Sequence, residues 1–426
     1  NNTCFYGDYV IKCYFTDNDG NTVASTNVSV NIINSMLSDK RITFTQWFHG
    51  DCLASYYAVK PLSKKHFAIM KNFLKTAYEY GINAILTPVL TPPLDTKIGG
   101  ERPTMQLVDI TKTSSGYEYS YDLLDKWIDM CNEIGFEYFE ISHFFTQWGA
   151  KHAPKVVAYV NGRKKRIFGW ETDATSDEYI SFLRDFISNL LVYLKNKGVD
   201  KRCFFHISDE PNEKNIEGYR NARNSIIDLL DGYLVTDALS SIEFYKQGIV
   251  TSPIPATDKI EPFLKQNIDN LWIYYCCGQF IDVSNRFIAM PSQRNRIIGT
   301  QLYKYRISGF LQWGYNFYYN QYSRKLVNPF LITDGDFFAP AGDAYSVYPG
   351  HDGKPLKSLR LVVFNEALQD LRAFLKLESL TSYEHVMKII ESNGKISFSK
   401  FPEDIEYIIN LRERVNKEID KLTEKK

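Results

Sequence analysis

The sequence predicts an α/β protein built as a (β/α)8 barrel, and three observations support this. From residue 41 onward, short apolar runs rich in aromatic and β-branched residues alternate with longer segments of helical periodicity, which is typical of parallel βαβ units. Eight strand-like runs are present, the number that closes such a barrel. Long insertions (residues 90–119, 145–175 and 316–357) follow the second, third and eighth runs. We expect these insertions to wall a pocket, because barrel enzymes carry their chemistry at the carboxyl ends of the strands.

The strands and helices are predicted from hydrophobic periodicity and from their end signals. Gly81, Gly135 and Gly198 follow three helix-like segments, where a left-handed glycine ends a helix. The predicted strands are residues 42–48, 84–89, 138–144, 203–208, 233–238, 249–254, 271–276 and 310–315. The predicted helices are residues 64–80, 121–134, 176–197, 213–230, 293–306, 358–376 and a polar terminal helix at 405–425.

The segment before the barrel has a different pattern. Residues 9–15 and 25–33 alternate apolar and polar side chains around a turn that contains Gly20, which predicts a β-hairpin. Two strands alone do not make a domain, so the hairpin is either the end of a β-sandwich or a small element docked on the barrel. We therefore expect three parts: residues 1–36 as this hairpin or sandwich remnant, 37–380 as the barrel, and 381–426 as a C-terminal helical segment.

The overall charge argues against a nucleic-acid partner. Lys plus Arg and Asp plus Glu each number 50, so the net charge is zero and no extended basic surface is expected. No apolar run approaches the roughly 18 residues of a membrane span. The seven cysteines are an odd number without CxxC spacing, which favours a reducing compartment such as the cytoplasm. Secretion remains the alternative for the compartment.

One predicted strand ends in two adjacent acids followed by proline. The run 204–211 reads FFHISDEP, and Pro211, which has no N–H, stops the strand ladder and leaves Asp209 and Glu210 at the mouth of the fourth strand. Adjacent strand residues point to opposite faces, so both acids reach one ligand only where the strand ends and turns. Capping of the next helix is the alternative interpretation, and the position at a barrel mouth favours catalysis.

This strand resembles the catalytic strand of glycoside hydrolase family 123, the β-N-acetylgalactosaminidases, where an Asp-Glu pair stands at the same place. A downstream region resembles the end of that family's barrel and its closing segment, of the domain-of-unknown-function 4091 type. The matching elements are FLQWGYN at 310–316, Asp343, YPG at 348–350, SLR at 358–360, Glu366 and DLR at 370–372. The resemblance covers roughly residues 41–380. The family has a fuller β-sandwich before the barrel than this chain has.

The resemblance implies retaining hydrolysis of terminal β-linked N-acetylgalactosamine. In this chemistry the sugar's own 2-acetamido oxygen attacks the anomeric carbon. Asp209 would orient the acetamido group and stabilise the oxazolinium intermediate. Glu210 would protonate the leaving oxygen and then activate water. The implied substrate is a terminal N-acetylgalactosamine on a glycan or glycolipid, and no cofactor is required.

Three alternatives stay open at this point. The enzyme could be a β-N-acetylglucosaminidase, since the two sugars differ in one hydroxyl's orientation. It could be a two-carboxylate β-glycosidase, with Glu140 or Asp237 as the separate nucleophile. From a different class, the chain could be a barrel that binds glycans without cleaving them.

Further substrate contacts are expected at the strand ends. His49 and Asp237 are candidate contacts, and Gln312 is a candidate for hydrogen bonding a sugar hydroxyl. Several aromatic residues are placed to stack on a sugar ring, although packing in the core is the commoner role for such residues. These aromatic candidates are Trp47, Trp148, Tyr274, Tyr275, Trp313 and Tyr315, among which likeness to family members favours Tyr275 and Trp313.

The sequence does not predict a metal site. His49, Asp51, His206 and Asp209 lie near strand ends, where barrel hydrolases collect metal ligands, but no His-x-His pair is present. A glycine-rich phosphate loop and a nucleophile elbow are also missing from the sequence.

Overall fold

The computed structural model describes residues 5–423. Within these residues the chain forms two compact units. One lies in Asn1–Arg41, Gln369–Lys395 and Pro402–Lys426, and the other in Ile42–Leu368 and Ile396–Phe401. In this described part, no helix is both long and apolar enough to cross a membrane.

The larger unit contains an eight-stranded parallel barrel, as the sequence predicts. All eight predicted strands are present, and in space each lies beside its neighbours in sequence. The ring closes between the sixth and seventh strands through a parallel bridge between Ala256 and Tyr274. The barrel strands are β1 Thr43–Gln46, β2 Ala84–Thr87, β3 Tyr138–Ile141, β4 Cys203–Phe205, β5 Leu234–Ala238, β6 Ser252–Ile254, β7 Trp272–Tyr274 and β8 Gly309–Gln312.

The predicted glycine stops are confirmed. Gly81, Gly135 and Gly198 have φ angles of 92°, 114° and 72°, the left-handed region that ends a helix without a Cβ clash. The α-helices are Gly50–Tyr56, Lys64–Glu79, Asp122–Ile134, Asp177–Asn196, Ile216–Asn224, Glu243–Lys246, Glu261–Leu264, Ser292–Arg296, Ile298–Lys304, Leu359–Leu380, Tyr383–Ile390 and Ile405–Thr423. Short 3-10 turns are Asp200–Arg202, Glu213–Asn215, Ile227–Leu230, Thr257–Lys259, Gln321–Ser323 and Glu391–Asn393.

Two predicted helices are shorter or broken. The segment predicted as one helix at 213–230 is a 3-10 turn, the helix Ile216–Asn224 and a second 3-10 turn. Its first turn is closed by the Asn212 side chain, which caps Lys214, and polar residues of low helix propensity end the central helix. The segment predicted at 293–306 divides into two helices at Ile297. Residue 425, the predicted end of the last helix, lies outside the described residues.

The barrel has an apolar cluster in its interior and an aromatic seam on its outside. Phe364 of the helix Leu359–Leu380 stacks on Phe44 of β1 at 4.7 Å and packs against Phe310 of β8 at 5.0 Å between ring centroids, so this helix covers the junction of the first and last strands. The interior cluster consists of Trp47, Ala84, Leu86, Leu94, Phe204, Ala238, Ile254, Ala256, Trp272, Tyr274 and Leu311.

The insertions after the strands have structure of their own. The insertions after β2 and β3 together build a four-stranded sheet, and the insertion after β8 contains a two-stranded antiparallel pair. The four-stranded sheet runs in the order Tyr117–Ser120, Asp109–Lys112, Val156–Val160, Arg163–Phe168, and the pair is Val347–Pro349 with Pro355–Lys357.

The smaller unit contains the predicted hairpin and the last helices. Gly7–Thr16 and Thr22–Ile32 pair antiparallel, which confirms the hairpin. Arg412 forms an ion pair with Asp370 at 2.8 Å, which joins the terminal helix to the part of the helix Leu359–Leu380 that belongs to this unit.

Gly299 allows close packing of two helices in the larger unit. A Cβ at this position would lie 2.1 Å from the carbonyl oxygen of Ala367, a backbone atom that cannot rotate away. We expect Gly299→Ala to lower the free energy of unfolding by about 1–3 kcal/mol, the usual cost of overpacking. Gly278→Ala is the control, because a Cβ there meets nothing within 4 Å. Urea unfolding of both variants tests this, and equal stability would contradict it.

Candidate active site

A backbone turn at the end of β4 brings the two adjacent acids to one cavity. The strand ends at Phe205, and the chain turns sharply at Glu210, whose φ of 43° is unusual for a residue with a side chain. The backbone N–H of Glu210 donates to the carbonyl of Ala238 at 3.1 Å, and the N–H of Trp148 donates to the carbonyl of Asp209 at 2.8 Å. The end of β5 and the start of the insertion after β3 therefore hold the strained turn in place.

The two acids open onto a cavity at the carboxyl ends of the strands. The predicted walls are confirmed, because residues from all three long insertions line it. The lining residues are Trp47, His49, Leu94, Asp95, Gln147, Trp148, Asp209, Glu210, Ala238, Tyr274, Cys276, Cys277, Leu311, Trp313, Gln321, Tyr322 and Phe338. The cavity combines aromatic faces with a small number of polar groups, the usual composition of a carbohydrate or small-molecule site.

The carboxylate pair retains protons to higher pH than isolated carboxyl groups. Burial and the neighbouring charge of Glu210 raise the pKa of Asp209 well above its ordinary value, against the positive charge of His206. Burial also raises the pKa of Glu210, while a hydrogen bond of 2.9 Å from the Tyr274 hydroxyl opposes the rise. Because the two charges repel each other, the pair favours one protonated and one ionised group.

A charged triad is buried in the barrel directly below the pair. His206 of the β4 segment contacts Glu140 of β3 at 2.7 Å and Asp237 of β5 at 3.1 Å, and all three side chains are fully buried. Burial alone would lower the pKa of His206, but the hydrogen bonds to the two carboxylates raise it to about 10. The histidine is therefore an imidazolium that bridges two strands.

His143 lies next to this triad. Its ring stacks on His206 at 4.4 Å, and burial together with the charge of His206 lowers the pKa of His143 well below its ordinary value. His143, His206 and Asp237 place potential metal-ligand atoms within 4.8 Å of one another. Both ring nitrogens of His206 already contact the carboxylates of Glu140 and Asp237. The charges of these three groups therefore compensate one another.

Two tryptophans on the cavity wall are held by buried carboxylates. The indole N–H of Trp47 donates to Glu140 at 2.7 Å, and that of Trp313 donates to Asp343 at 2.8 Å. Burial raises the pKa of Asp343 to about 6. Each ring therefore has a fixed orientation before any ligand arrives, which reduces the ordering cost of stacking on a sugar.

His49 is fixed as one neutral tautomer on the wall. Its Nε2 lies 2.8 Å from the carbonyl oxygen of Trp313 and must donate to it, while Arg102 donates to Nδ1 at 3.1 Å. Burial and the charge of Arg102 lower the pKa of His49 to about 3. Arg102 itself forms a buried bidentate ion pair with Asp51, at 2.8 Å for both bonds.

The structure brings together most, but not all, of the predicted site residues. Asp209, Glu210, Trp47, His49 and Trp313 line the cavity, and so do two further aromatic candidates, Trp148 and Tyr274. Tyr315 is fully buried in the core instead.

Three predicted sugar contacts are corrected. Asp237, Tyr275 and Gln312 are each 0% exposed and do not line the cavity. Asp237 is occupied by His206 and by Tyr219, whose hydroxyl donates to it. These residues support the wall from behind, because alternate positions on a strand point away from the cavity.

Gln312 and Tyr275 are each held by neighbouring side chains. Gln312 accepts a hydrogen bond from Arg286 at 2.6 Å and donates to Asp343 at 3.1 Å. Tyr275 packs on Phe310 at 4.9 Å between ring centroids, which places it in the seam outside the barrel.

Several lining residues were missed because they lie in the insertions. Asp95, Gln147, Gln321, Tyr322 and Phe338 follow β2, β3 and β8 with no periodic pattern around them. Their only sequence signal is membership of loops at the catalytic end of the barrel. Cys276 and Cys277, which are adjacent in sequence, both lie on the wall as well.

The fold and the site together define a carbohydrate-active barrel enzyme, with paired carboxylates and fixed aromatic faces at the carboxyl ends of parallel strands. A sequence profile described as the glycoside hydrolase 123 catalytic domain matches residues 47–377. The chain therefore belongs to glycoside hydrolase family 123, and it is a hydrolase that acts on carbohydrate. No curated protein sequence matches it.

Similar solved structures have low sequence identity to this chain, and the first of them shows the same fold. A family 123 glycoside hydrolase from Clostridium perfringens, whose structural study concerns glycolipid glycan hydrolysis, matches with a TM-score of 0.73 and 15% identity, over 99% of this chain and 77% of that one. A family 5 mannosidase from Rhizomucor miehei has a TM-score of 0.41 and 13% identity, over 78% and 94% of the two chains. Xylanase 10B from Thermotoga maritima has values of 0.39 and 12%, over 78% and 96%.

His206 offers a test of the buried triad. We expect His206→Phe to lower the free energy of unfolding by about 3–5 kcal/mol, because Glu140 and Asp237 lose their shared positive partner. The pKa of His206 is raised from 6.5 to about 10, so its contribution is complete below pH 6.5 and declines as the pH rises through 10. Chemical unfolding of the variant and wild type across this range measures both effects.

His385→Phe is the matched control for this substitution. His385 pairs with Glu418 at 3.0 Å, but both side chains are more than a third exposed, so the change should be below about 1 kcal/mol. An equal loss of unfolding free energy in His206→Phe and His385→Phe would contradict the stabilising role of the triad.

Proposed function

We propose that the enzyme removes terminal β-linked N-acetylgalactosamine from glycans or glycolipids, with retention of configuration and with the substrate's 2-acetamido oxygen as nucleophile. The residues that carry the reaction are Asp209 and Glu210. The observation that supports this most directly is that the two acids share one strained turn and open onto the same cavity.

The state of the nearby acids also supports a substrate nucleophile. In a two-carboxylate mechanism a separate carboxylate must reach the anomeric carbon from the opposite face of the sugar. Glu140 and Asp237, the candidates from the sequence, are fully buried and held by His206. Glu140 also accepts hydrogen bonds from Trp47 at 2.7 Å and Thr45 at 2.5 Å. Neither is free to attack a sugar.

Asp209 is proposed as the residue that orients the acetamido group. Its carboxylate would accept the amide N–H and turn the carbonyl oxygen towards the anomeric carbon. As the oxazolinium ring forms, the amide gains positive charge, and a nearby buried carboxylate stabilises that charge more than the ground state. The imidazolium of His206 below it opposes the rise in the pKa of Asp209 and so favours the ionised form that this role requires.

Glu210 is proposed as the general acid and then the general base. In the proposed complex the acetamido N–H donates to Asp209, which favours its ionised form and leaves the shared proton of the pair on Glu210, whose pKa burial raises. The proton moves to the glycosidic oxygen as the bond to the anomeric carbon breaks. Glu210 then takes a proton from the water that opens the oxazolinium ring, and Tyr274 holds the carboxyl in position at 2.9 Å.

The choice of a glycan or glycolipid substrate rests on family membership and on the cavity. The Clostridium perfringens enzyme was studied for glycolipid glycan hydrolysis. In the present chain, Trp47 and Trp313 offer two fixed aromatic faces to the apolar side of a sugar ring.

The decisive experiment compares three nitrophenyl glycosides. The substrates are the β-N-acetylgalactosaminide, the β-N-acetylglucosaminide and the plain β-galactoside. We expect cleavage only of substrates that carry the acetamido group, with the galacto sugar preferred. Equal cleavage of the plain galactoside would require a protein nucleophile and direct attention to Asp95, the remaining lining carboxylate among the described residues. Absence of any cleavage would favour a glycan-binding barrel.

Substitution of Glu210 tests its role as the acid. Glu210→Gln should reduce kcat by about 100-fold or more on a substrate with a poor leaving group, in line with the usual contribution of general acid catalysis. The loss should be much smaller on an aryl glycoside with a strongly acidic leaving group, which departs without a proton. Glu213→Gln is the control, since Glu213 is exposed and contacts Ser241 outside the cavity. Equal losses on both substrates would rule out the acid role.

A further inference from the structure

Gln147 on the cavity wall carries an unsatisfied hydrogen-bond donor. The residue is 6% exposed and lines the cavity. Its Oε1 accepts the backbone N–H of Asp95 at 2.7 Å, while its Nε2 has no partner among the described residues. A buried donor without a partner is unfavourable, because it has lost its hydrogen bonds to water and gained none in return. A ligand oxygen would remove that cost.

Asp95 lies beside this donor and carries the complementary group. Its Oδ2 accepts the backbone N–H of Tyr322 at 3.1 Å, and its carbonyl accepts a hydrogen bond from the Ser323 hydroxyl at 2.7 Å. An ionised carboxylate has about four acceptor positions, so it can accept further hydrogen bonds from a ligand. The insertions after β2, β3 and β8 thus meet at one amide and one carboxylate.

This pair lies close to the catalytic turn. Trp148, the residue after Gln147, donates its backbone N–H to the carbonyl of Asp209 at 2.8 Å. The Trp148 ring in turn contacts Tyr322 with 5.6 Å between centroids. A sugar beside Asp209 and Glu210 is therefore within the reach of the wall that carries Gln147 and Asp95.

We propose that Gln147 and Asp95 together bind two neighbouring hydroxyls of the terminal sugar and are specificity-determining residues of this enzyme. The proposal rests on the proposed function, in that the cavity holds a sugar in which Asp209 and Glu210 act on the glycosidic bond. It adds a pair of recognising groups that come from the insertions and not from the barrel strands.

The chemistry of the two groups matches a pair of hydroxyls. The amide N–H of Gln147 donates to the oxygen of one hydroxyl, and the carboxylate of Asp95 accepts the hydrogen of the next. The direct bond from Asp95 N–H to Gln147 Oε1 fixes the spacing of the two groups. Inversion of one hydroxyl breaks one of the two bonds and leaves a buried group unpaired, which is the strongest way for a polar site to reject an epimer.

Two isosteric substitutions test the pair. Gln147→Glu keeps an oxygen for the Asp95 N–H but replaces the free donor by an acceptor. Asp95→Asn keeps an oxygen for the Tyr322 N–H and removes the charge. Each should lower kcat/KM by about 10-fold or more, mainly through KM, with a melting temperature close to that of wild type. Gln247→Glu makes the same charge change at an exposed site held by Arg220 and should leave kcat/KM unchanged.

Deoxy sugars identify the hydroxyl that each group contacts. Wild type should lose about 10-fold in kcat/KM on the substrate that lacks the hydroxyl bound by Gln147, whereas Gln147→Glu should lose nothing further on it. Equal losses on every deoxy substrate, or wild-type kcat/KM in Gln147→Glu, would overturn the proposal. A collapse of kcat with unchanged KM in Asp95→Asn would instead make Asp95 the nucleophile and would also overturn it.

The test of the Gln147–Asp95 pair can be distinguished from the test of the proposed function. If wild type prefers a glycoside without the acetamido group, the proposed mechanism fails. Deoxy derivatives of that preferred sugar then replace the deoxy N-acetyl substrates, and they still test whether Gln147 and Asp95 bind two hydroxyls. If wild type cleaves none of the glycosides, NMR titration with the free sugar and its deoxy analogues gives the same comparison as dissociation constants. Loss of discrimination in Gln147→Glu supports the pair, and unchanged discrimination overturns it.

Discussion

The buried imidazolium of His206 is the interaction on which the catalytic end of this barrel depends. It joins Glu140 of β3 to Asp237 of β5 across the β4 segment that leads to the two acids. Either carboxylate alone would be costly in the barrel interior, and together they would repel each other. The positive charge of His206 between them makes the burial of both carboxylates possible. Three consecutive strands are thereby held in register at the depth where the site begins.

The triad also determines what lies above it. Glu140 holds the ring of Trp47 through the indole N–H, and Asp237 accepts the backbone N–H of Ile207 at 3.1 Å, two residues before Asp209. The positive charge that orders these groups also acts on Asp209. Glu140 and Asp237, the candidate nucleophiles from the sequence, therefore orient groups at the floor of the cavity. The charge of His206 between them opposes the rise that burial causes in the pKa of Asp209.

The walls are organised by a different principle. The insertions after β2, β3 and β8 meet at the cavity through hydrogen bonds among Asp95, Gln147 and Tyr322 and through the ring contact of Trp148 with Tyr322. Loops of this kind vary more easily than barrel strands. Under the proposed roles, the chemistry lies at the end of β4 and recognition lies on the insertions, so substrate preference can change while the acid pair and its support remain.

The sequence by itself determined the barrel and the position of the acid pair. Hydrophobic runs at strand length, glycine stops and the proline after Glu210 act locally. Each can therefore be recognised without knowledge of distant residues. The same local reasoning placed Trp47, His49 and Trp313 at strand ends that do reach the cavity.

Only the tertiary structure decided which side chains at those ends face the ligand. Asp237, Tyr275 and Gln312 stand one position away from cavity residues on their strands, and a shift of one residue reverses the face. The proposed roles of Gln147 and Asp95 depend on a hydrogen bond between two residues that are 52 positions apart in sequence. No local pattern encodes such a contact, because it exists only once the barrel has closed and brought the ends of its strands together.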